Sequence, residues 1–442
     1  MVNHLYVTGL AAQSQATRLS KLESDAGTCV TVTPLSYLPP RINLVSSRVR
    51  MVPMFASCAI LVAAYAPALQ HARSPVPLVA RRCTRPLMEF VPGETCTGER
   101  VVIVGATGYI GKAVVREAVA RGYPTTAVVR DASAAAGEAK FQGANVVQAD
   151  VCNPASLTGP NGPLAAGSAD VVISCLASRS GSKKDSFAID YQATLNCLEA
   201  AKAAGARHFV MLSAFCVKSA EDNDEFALQF QYAKKDMEAA LRAQSDVSYS
   251  IVRPTAFFKS VSGQVEVVNG GGPFVYFDLG GGKCATCNPI SEPDLAAAVI
   301  DAVGDPSKKD ALWNLGGPDE GLSMKQQGEL VAEVLGKEEA SLLGVPIGIF
   351  NVIVNGLQWG SDKAKEFGQE EFAEKLGDAA EFGRIGRYYA VVDMLTTDPS
   401  EKYGKTTLRQ HYERVAKYGQ EYDPYTSVFG NKKATENFKG SS

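Results

Sequence analysis

The stretch Val101-Val-Ile-Val-Gly105-Ala-Thr-Gly108-Tyr-Ile-Gly111 decides how the chain reads. Four β-branched residues, Val101 to Val104, favour a strand and end at a glycine. Gly108 and Gly111 follow at three-residue spacing. A helical pattern then starts at once, with Ile110, Val114, Val115, Ala118 and Val119 forming its apolar positions. Strand, glycine-rich turn and helix in this order predict a dinucleotide-binding fold. Gly105 lets the chain turn tightly off the strand. Gly108 leaves room for a pyrophosphate against the backbone, and Gly111 lets the helix pack close to the sheet. The phosphates then sit at the positive end of the helix, against the backbone of Thr107, Gly108, Tyr109, Ile110 and Gly111.

This GxxGxxG spacing resembles the short-chain dehydrogenase/reductase superfamily in its extended or atypical branch. Further strand runs fall at Thr125–Val129, Asn145–Gln148, Val171–Cys175, Phe209–Leu212 and Tyr249–Val252, with helical stretches between them. The expected class is therefore α/β: a Rossmann fold with a doubly wound parallel sheet and a smaller C-terminal substrate lobe. The division expected is 96–260 for the nucleotide domain and 261–422 for the substrate lobe, some of whose elements return to the sheet. A polar tail, 423–442, ends the chain.

Ligands of such sheets lie at the carboxyl ends of the strands. Arg130 closes the second strand, where an acidic residue would bind a ribose 2′-hydroxyl. A guanidinium there suits a 2′-phosphate, so the expected cofactor is NADPH. The competing reading is a solvated arginine, and Asp131 beside it counts against the assignment. Asp150-Val151 would flank the adenine, and the Cys175–Ser178 run, with Ala177, the nicotinamide ribose. Ordinary loop chemistry is the alternative for both.

The 442 residues suffice for a large core. A net charge of −3 with 21% charged residues suggests no general affinity for nucleic acid. Ten scattered cysteines suggest free thiols in a reducing compartment. Cys284-Ala-Thr-Cys287 stands without a second pair, so no metal site is expected. Residues 1–95 differ from the rest. From Ala26 to Met88 there is no acidic residue, yet seven arginines occur. A short apolar run, Met54 to Ala66, precedes Pro67-Ala68. It suits a signal-peptide core better than a membrane span. Signal core followed by acid-free tail resembles the two-part presequence of proteins in complex plastids, with Met51 as an alternative start. A disordered extension and a membrane anchor are the other readings.

Short-chain reductases commonly carry Tyr-x-x-x-Lys on a helix, with a serine from the preceding strand. Here that strand ends Met211-Leu-Ser213-Ala214, and the helix reads Phe230-Gln-Tyr232-Ala-Lys234. Phe230 and Lys234 are four apart and share a face. Phenylalanine thus stands where the tyrosine would, and it cannot protonate a carbonyl oxygen. Alcohol–ketone chemistry is disfavoured, whereas reduction of a carbon–carbon double bond is not. Lys234 is expected to hold the nicotinamide ribose. Its competing reading is a solvent-facing member of a pair with Lys235.

Later stretches point to a narrower family. They are Ser250–Lys259 (SIVRPTAFFK), Gly263–Glu266, Pro289–Ala297, Ser174–Arg179 with Asp190-Tyr191, and Ala380–Ala390 (AEFGRIGRYYA). From about Val101 to Tyr418 the chain resembles the plastid divinyl chlorophyllide 8-vinyl reductases. That resemblance implies an NADPH-dependent oxidoreductase that reduces the 8-vinyl group of divinyl chlorophyllide a, or of its protochlorophyllide precursor, to ethyl. It also implies a plastid location. Tyr191, Tyr232 and water are the candidate proton donors beside Lys234. Phe257 and Phe258 offer flat apolar surface for a macrocycle, with core packing as the alternative. Arg384 and Arg387 share a helical face, and one is expected to pair with a propionate carboxylate. Internal pairing to Glu381 or Asp378 is the alternative. Residues 345–382 are read as an apolar stretch and a charged segment that could fold over the site, and Phe274–Phe277 as part of a hairpin-like insert. Association with a thylakoid or envelope surface is expected from the hydrophobic pigment. Two rivals remain: a non-enzymatic NmrA-like NADP(H) sensor or photosystem assembly factor, and an isoflavone-reductase-like enzyme of small phenolics.

Overall fold

The computed structural model describes residues 98–420, and the presequence and tail expectations lie outside them. The described residues belong to one compact unit. Its centre is a seven-stranded parallel sheet. The first six strands are β1 (Val101–Val104), β2 (Thr125–Val129), β3 (Asn145–Gln148), β4 (Val171–Ser174), β5 (His208–Leu212) and β6 (Ser248–Pro254). Outside the sheet, β7 (Phe274–Asp278) and β8 (Thr286–Cys287) come next, and β9 (Ala311–Leu315) returns to it. The order is β3-β2-β1-β4-β5-β6-β9, with every neighbour parallel. The reversal of order falls between β1 and β4, which is where a nucleotide crevice opens.

Helix α1 (Tyr109–Ala120) buries Ile110, Ala113, Val114, Val115 and Ala118 against one face of the sheet. Helices α2 (Thr194–Ala204) and α3 (Gln229–Ala243) cover the other face, around Cys197, Leu198, Met237 and Leu241. Helix α4 (Glu292–Gly304) joins α1, tied by an Arg121–Asp301 ion pair of 2.5 Å. Ser291 caps α4 by accepting from the Asp294 N–H.

The residues from 261 onward carry α5 (Met324–Val334), α6 (Gly348–Glu366), α7 (Glu370–Val391) and α8 (Leu408–Tyr418). Strand β10 (Leu322–Ser323) pairs antiparallel with β8. Strand β7 pairs in parallel with β11 (Leu342–Pro346), so the expected hairpin-like insert is not formed. A parallel partner requires a long crossover, and α4 and α5 lie within it. The stretch read as a flap is two long helices joined by Phe367-Gly368-Gln369.

His208 lies on β5 with its ring nitrogens 2.8 Å and 3.1 Å from the Ser248 and Ser250 hydroxyls. Burial pulls its pKa down to about 4, and burial does the same to His411 of α8. Unfolded histidine binds a proton below about 6.5. Between that pH and about 4 unfolding therefore takes up protons, and stability falls as pH falls. Calorimetric unfolding near pH 6 should show uptake of one to two protons; no uptake there would place these rings in contact with water.

Candidate functional site: a nucleotide crevice with a buried lysine

The turn after β1 is held by close backbone contacts. Gly105 has φ +73°, and a Cβ on it would lie 2.6 Å from the Cys175 carbonyl oxygen. A Cβ on Gly111 would lie 2.1 Å from the Gly105 carbonyl oxygen. Both glycines are thus demanded by packing: one lets the chain leaving β4 pass over the turn, the other seats α1 on it. A Cβ on Gly108 would meet only the Gly105 carbonyl oxygen, at 3.2 Å. Gly108 is also the N-cap of α1, and no side chain caps the helix. This arrangement fits a dinucleotide pyrophosphate at the positive helix end.

Around it lie the loops at the strand ends. Arg130 follows β2 and is exposed. Asp131, which counted against the arginine, is occupied: it caps a short helix by accepting from the Ala134 N–H at 3.1 Å and from the Ser133 hydroxyl at 2.6 Å. Asp150 accepts from the Cys152 N–H, and the Val151 carbonyl accepts from Asn196 Nδ2 at 3.1 Å, which shapes the loop after β3. Ala177 is exposed in the loop after β4. Thr107 and Tyr109 are half-buried at the turn, and Ile110 is buried in the core.

Lys234 is buried, not solvent-facing. Its ammonium lies 3.0 Å from Asp190 Oδ1, 3.3 Å from the Leu176 carbonyl and 3.5 Å from the Leu212 carbonyl. The Asp190 contact is an ion pair whose angles fall short of a hydrogen bond. The ammonium thus sits between two carbonyls that follow or end β4 and β5 and a carboxylate from the segment after β4. Asp190 is itself only 1% exposed and accepts from the Ser178 N–H at 3.2 Å. It sits in a π-helical segment, Phe187–Ala193, of the kind that recurs at functional sites. Reading the sequence passed over Asp190 for its neighbour Tyr191. An acid in a segment that runs on into an otherwise buried helix was the available signal.

Neither tyrosine is among the contacts of Lys234. Tyr191 packs partly against the core with Leu176, Ile189 and Leu195. The Tyr232 ring lies beside the Lys235 ammonium, 5.4 Å away, because it is two residues from Lys234 on the helix. Phe230 instead joins a cluster with Phe215, Cys216, Phe226, Ile385 and Tyr388. The serine that follows β5 is engaged in a buried network. Ser213 donates to Glu238 Oε1, and Glu238 is fully buried. Arg253 of β6 binds both carboxylate oxygens of Glu238 and both of Glu221. Glu238 is one helical turn beyond Lys234, so this buried network sets how α3 stands on the sheet.

Two further assignments change. Phe258 is fully buried in a separate core with Val265, Val268, Phe274 and Tyr412, so it cannot face a ligand. Phe257 is only partly buried, and its ring centroid lies 6.2 Å from that of Tyr109. Arg384 is engaged with Glu381 at 2.8 Å and Gln358 at 2.6 Å, which ties α7 to α6. Arg387 donates to Asn351 at 2.9 Å and lies over the Phe226 ring at 4.8 Å. Its Nε is buried and makes no hydrogen bond among the described residues.

Fold and site together define an NAD(P)H-binding reductase-type domain. A family model described as NAD(P)H-binding matches residues 105–306. A solved structure described as AtPrR2 with NADP+ and (+)pinoresinol superimposes with a TM-score of 0.51 at 15% identity, covering 73% of this chain and 99% of that one. That likeness concerns the fold alone. The chain belongs to the divinyl chlorophyllide a 8-vinyl-reductase family. The chloroplastic protein of that name from Arabidopsis thaliana is 43% identical over 335 residues, covering 72% of this chain and 77% of its own. The one from Oryza sativa subsp. indica is 40% identical over 370 residues, covering 79% and 85%.

Lys234→Met should raise the Kd for the reduced cofactor by about tenfold or more, since it removes the ammonium at the strand ends. Fluorescence titration checks this, and an unchanged Kd would assign Lys234 a purely structural part. Arg130→Ala should weaken NADPH by about tenfold while leaving NADH unaffected, when both are titrated in parallel.

Proposed function

We propose that this protein uses NADPH to reduce the 8-vinyl group of divinyl chlorophyllide a, or of divinyl protochlorophyllide a, to an ethyl group inside a plastid. The observation that carries this reading is Phe230 four residues before a buried, ion-paired Lys234. The lysine that holds a cofactor is kept, whereas the acid that protonates a ketone oxygen is gone. Family membership supplies the pigment, and Arg130 at the end of β2 supplies the preference for the 2′-phosphate. The acid-free, arginine-bearing segment before residue 96 is read as a two-part presequence for a complex plastid.

When bound, NADPH supplies the hydride. Residues 96–260 seat it: Gly105 to Gly111 take the pyrophosphate, Arg130 the 2′-phosphate, and Asp150, Val151 and Ala177 the adenine and nicotinamide ends. Lys234, held by Asp190, faces the nicotinamide ribose. Residues 261–422 supply most of the pigment wall. Phe230 and Phe257 give flat apolar surface that keeps water from the conjugated ring. A vinyl group conjugated to the macrocycle can pass developing charge into the ring, so no phenolic acid has to meet an oxyanion. With Tyr191 and Tyr232 outside the contacts of Lys234, protonation is assigned to water. Arg387, with its unused Nε, is assigned to the propionate carboxylate. Because the pigment is hydrophobic, the protein is further proposed to work at the surface of a thylakoid or envelope membrane.

Incubating the protein with NADPH and divinyl pigment, then separating the products, tests the reaction. Appearance of the 8-ethyl pigment is expected, and unchanged divinyl pigment would overturn the assignment. Arg387→Ala should raise KM by about tenfold for the free-acid pigment and leave an esterified pigment unaffected. Equal KM values for the variant and the parent would remove Arg387 from the substrate site.

A further inference from the structure

Helix α6 has three faces. One packs on α7 through Val354, Ser361 and Ala364, which are all buried. A second carries Asn351, Asn355, Gln358, Asp362, Lys365 and Glu366. The third is apolar and exposed: Ile349 is 44% exposed, Val352 74%, Ile353 39% and Trp359 66%. At 100° per residue these four, with Gly356, fall within an arc of about 120°. The stripe runs on to Phe367 at the hairpin turn, 77% exposed, and Phe372 beside it is 54% exposed. Lys363 is the one charged residue inside this arc, in its last turn, and it is neutralised by Glu366 at 2.7 Å. The other polar side chains of the helix's exposed surface lie on the second face, which distinguishes the pattern from scattered surface hydrophobics.

The stripe is one helix wide. At about 1.5 Å per residue and about 10 Å across it offers roughly 270 Å². A stable protein partner takes about 800 Å² per side, so a second copy is a poor fit. A bilayer surface needs no matching partner area, and aromatic residues at one end of an amphipathic helix suit the headgroup level. No helix among the described residues is long and apolar enough to cross a membrane, which leaves a helix lying in the surface. Two lysines at the tip are paired with neighbouring acids, Lys363 with Glu366 and Lys375 with Glu371, each at 2.7 Å, and Glu370 lies beside them. No cluster of free lysines is present there to seek anionic lipid.

We propose that the exposed face of α6, together with the hairpin tip at Phe367 and Phe372, docks the protein in the surface of a lipid bilayer by apolar insertion. The proposal gives a surface to the membrane association named above and does not depend on the pigment chemistry.

The test uses the full chain and vesicles of phosphatidylcholine alone or with one quarter phosphatidylglycerol, read by co-sedimentation. Binding to neutral vesicles is expected, with little change on adding the anionic lipid or raising salt, because screening acts on charge and not on apolar burial. The variant Val352→Glu/Trp359→Glu should bind at least about tenfold more weakly. It should keep its melting temperature, NADPH affinity and turnover of detergent-dispersed pigment. Equal vesicle binding by the variant would move the contact elsewhere, the N-terminal segment included, and overturn the proposal. So would absence of binding by the parent, or lipid-free self-association that the variant abolishes. Failure of the pigment reading shows separately, as absence of 8-ethyl product with detergent-dispersed pigment.

Discussion

The site depends on two backbone approaches that leave no space for a side chain. The chain leaving β4 passes so close to Gly105 that any Cβ there would strike the Cys175 carbonyl, and α1 sits so close to Gly105 that any Cβ on Gly111 would strike its oxygen. These contacts bring the ends of β1 and β4 together where the strand order reverses. They also aim an uncapped helix end into the gap. The fold alone thus makes an anion-binding crevice before any charged side chain contributes.

A second layer of organisation is ionic and buried. Lys234 with Asp190, and Arg253 with Glu238 and Glu221, lie at opposite ends of one turn of α3. Removing one partner of such a pair leaves an uncompensated charge and costs about 3–5 kcal/mol, whereas an apolar replacement of the whole pair is often neutral. Stability alone is therefore a weak reason for these groups. Their arrangement accounts for orientation: Arg253 fixes α3 from the sheet side through Glu238, and Asp190 fixes Lys234 from the loop side. The Ser213 hydroxyl is drawn into the first pair. The serine that follows β5 is thereby engaged within the buried network.

The C-terminal hairpin closes this arrangement. Gly383 and Gly386 face α6, where a Cβ would come to 2.9 Å from Val354 and 3.1 Å from Phe350. Arg384 and Arg387, each one residue beyond a glycine, bond to Gln358 and Asn351. On the other side Tyr388 reaches the Ser219 hydroxyl at 2.8 Å, and Ile385 crowds Gly181 of the loop after β4. The EFGRIGRYYA stretch is thus largely a packing device that holds two helices together and rests them on the start of α3. The face of α6 turned away from α7 is left apolar and uncovered by this packing.

The sequence by itself determined the first six strands of the sheet, the glycine turn and the shared helical face of Phe230 and Lys234. Each is a local matter: β-branched runs favour strands, a turn onto a helix needs glycine, and residues four apart share a helical face. The first three strands, Val101–Val104, Thr125–Val129 and Asn145–Gln148, end where their runs end. Only the tertiary structure decided which polar groups meet. Asp190 and Lys234 are 44 residues apart, and Glu238 and Arg253 lie on different elements, so no spacing announces either pair. Phe258 and Phe257 look alike in sequence, yet one is sealed in a second core and the other faces α1, because the chain turns between them. Arg384 looked like a substrate ligand until the helix packed against it brought Gln358 within reach. Local periodicity tells which face a residue is on; what that face meets is set by where the rest of the chain packs.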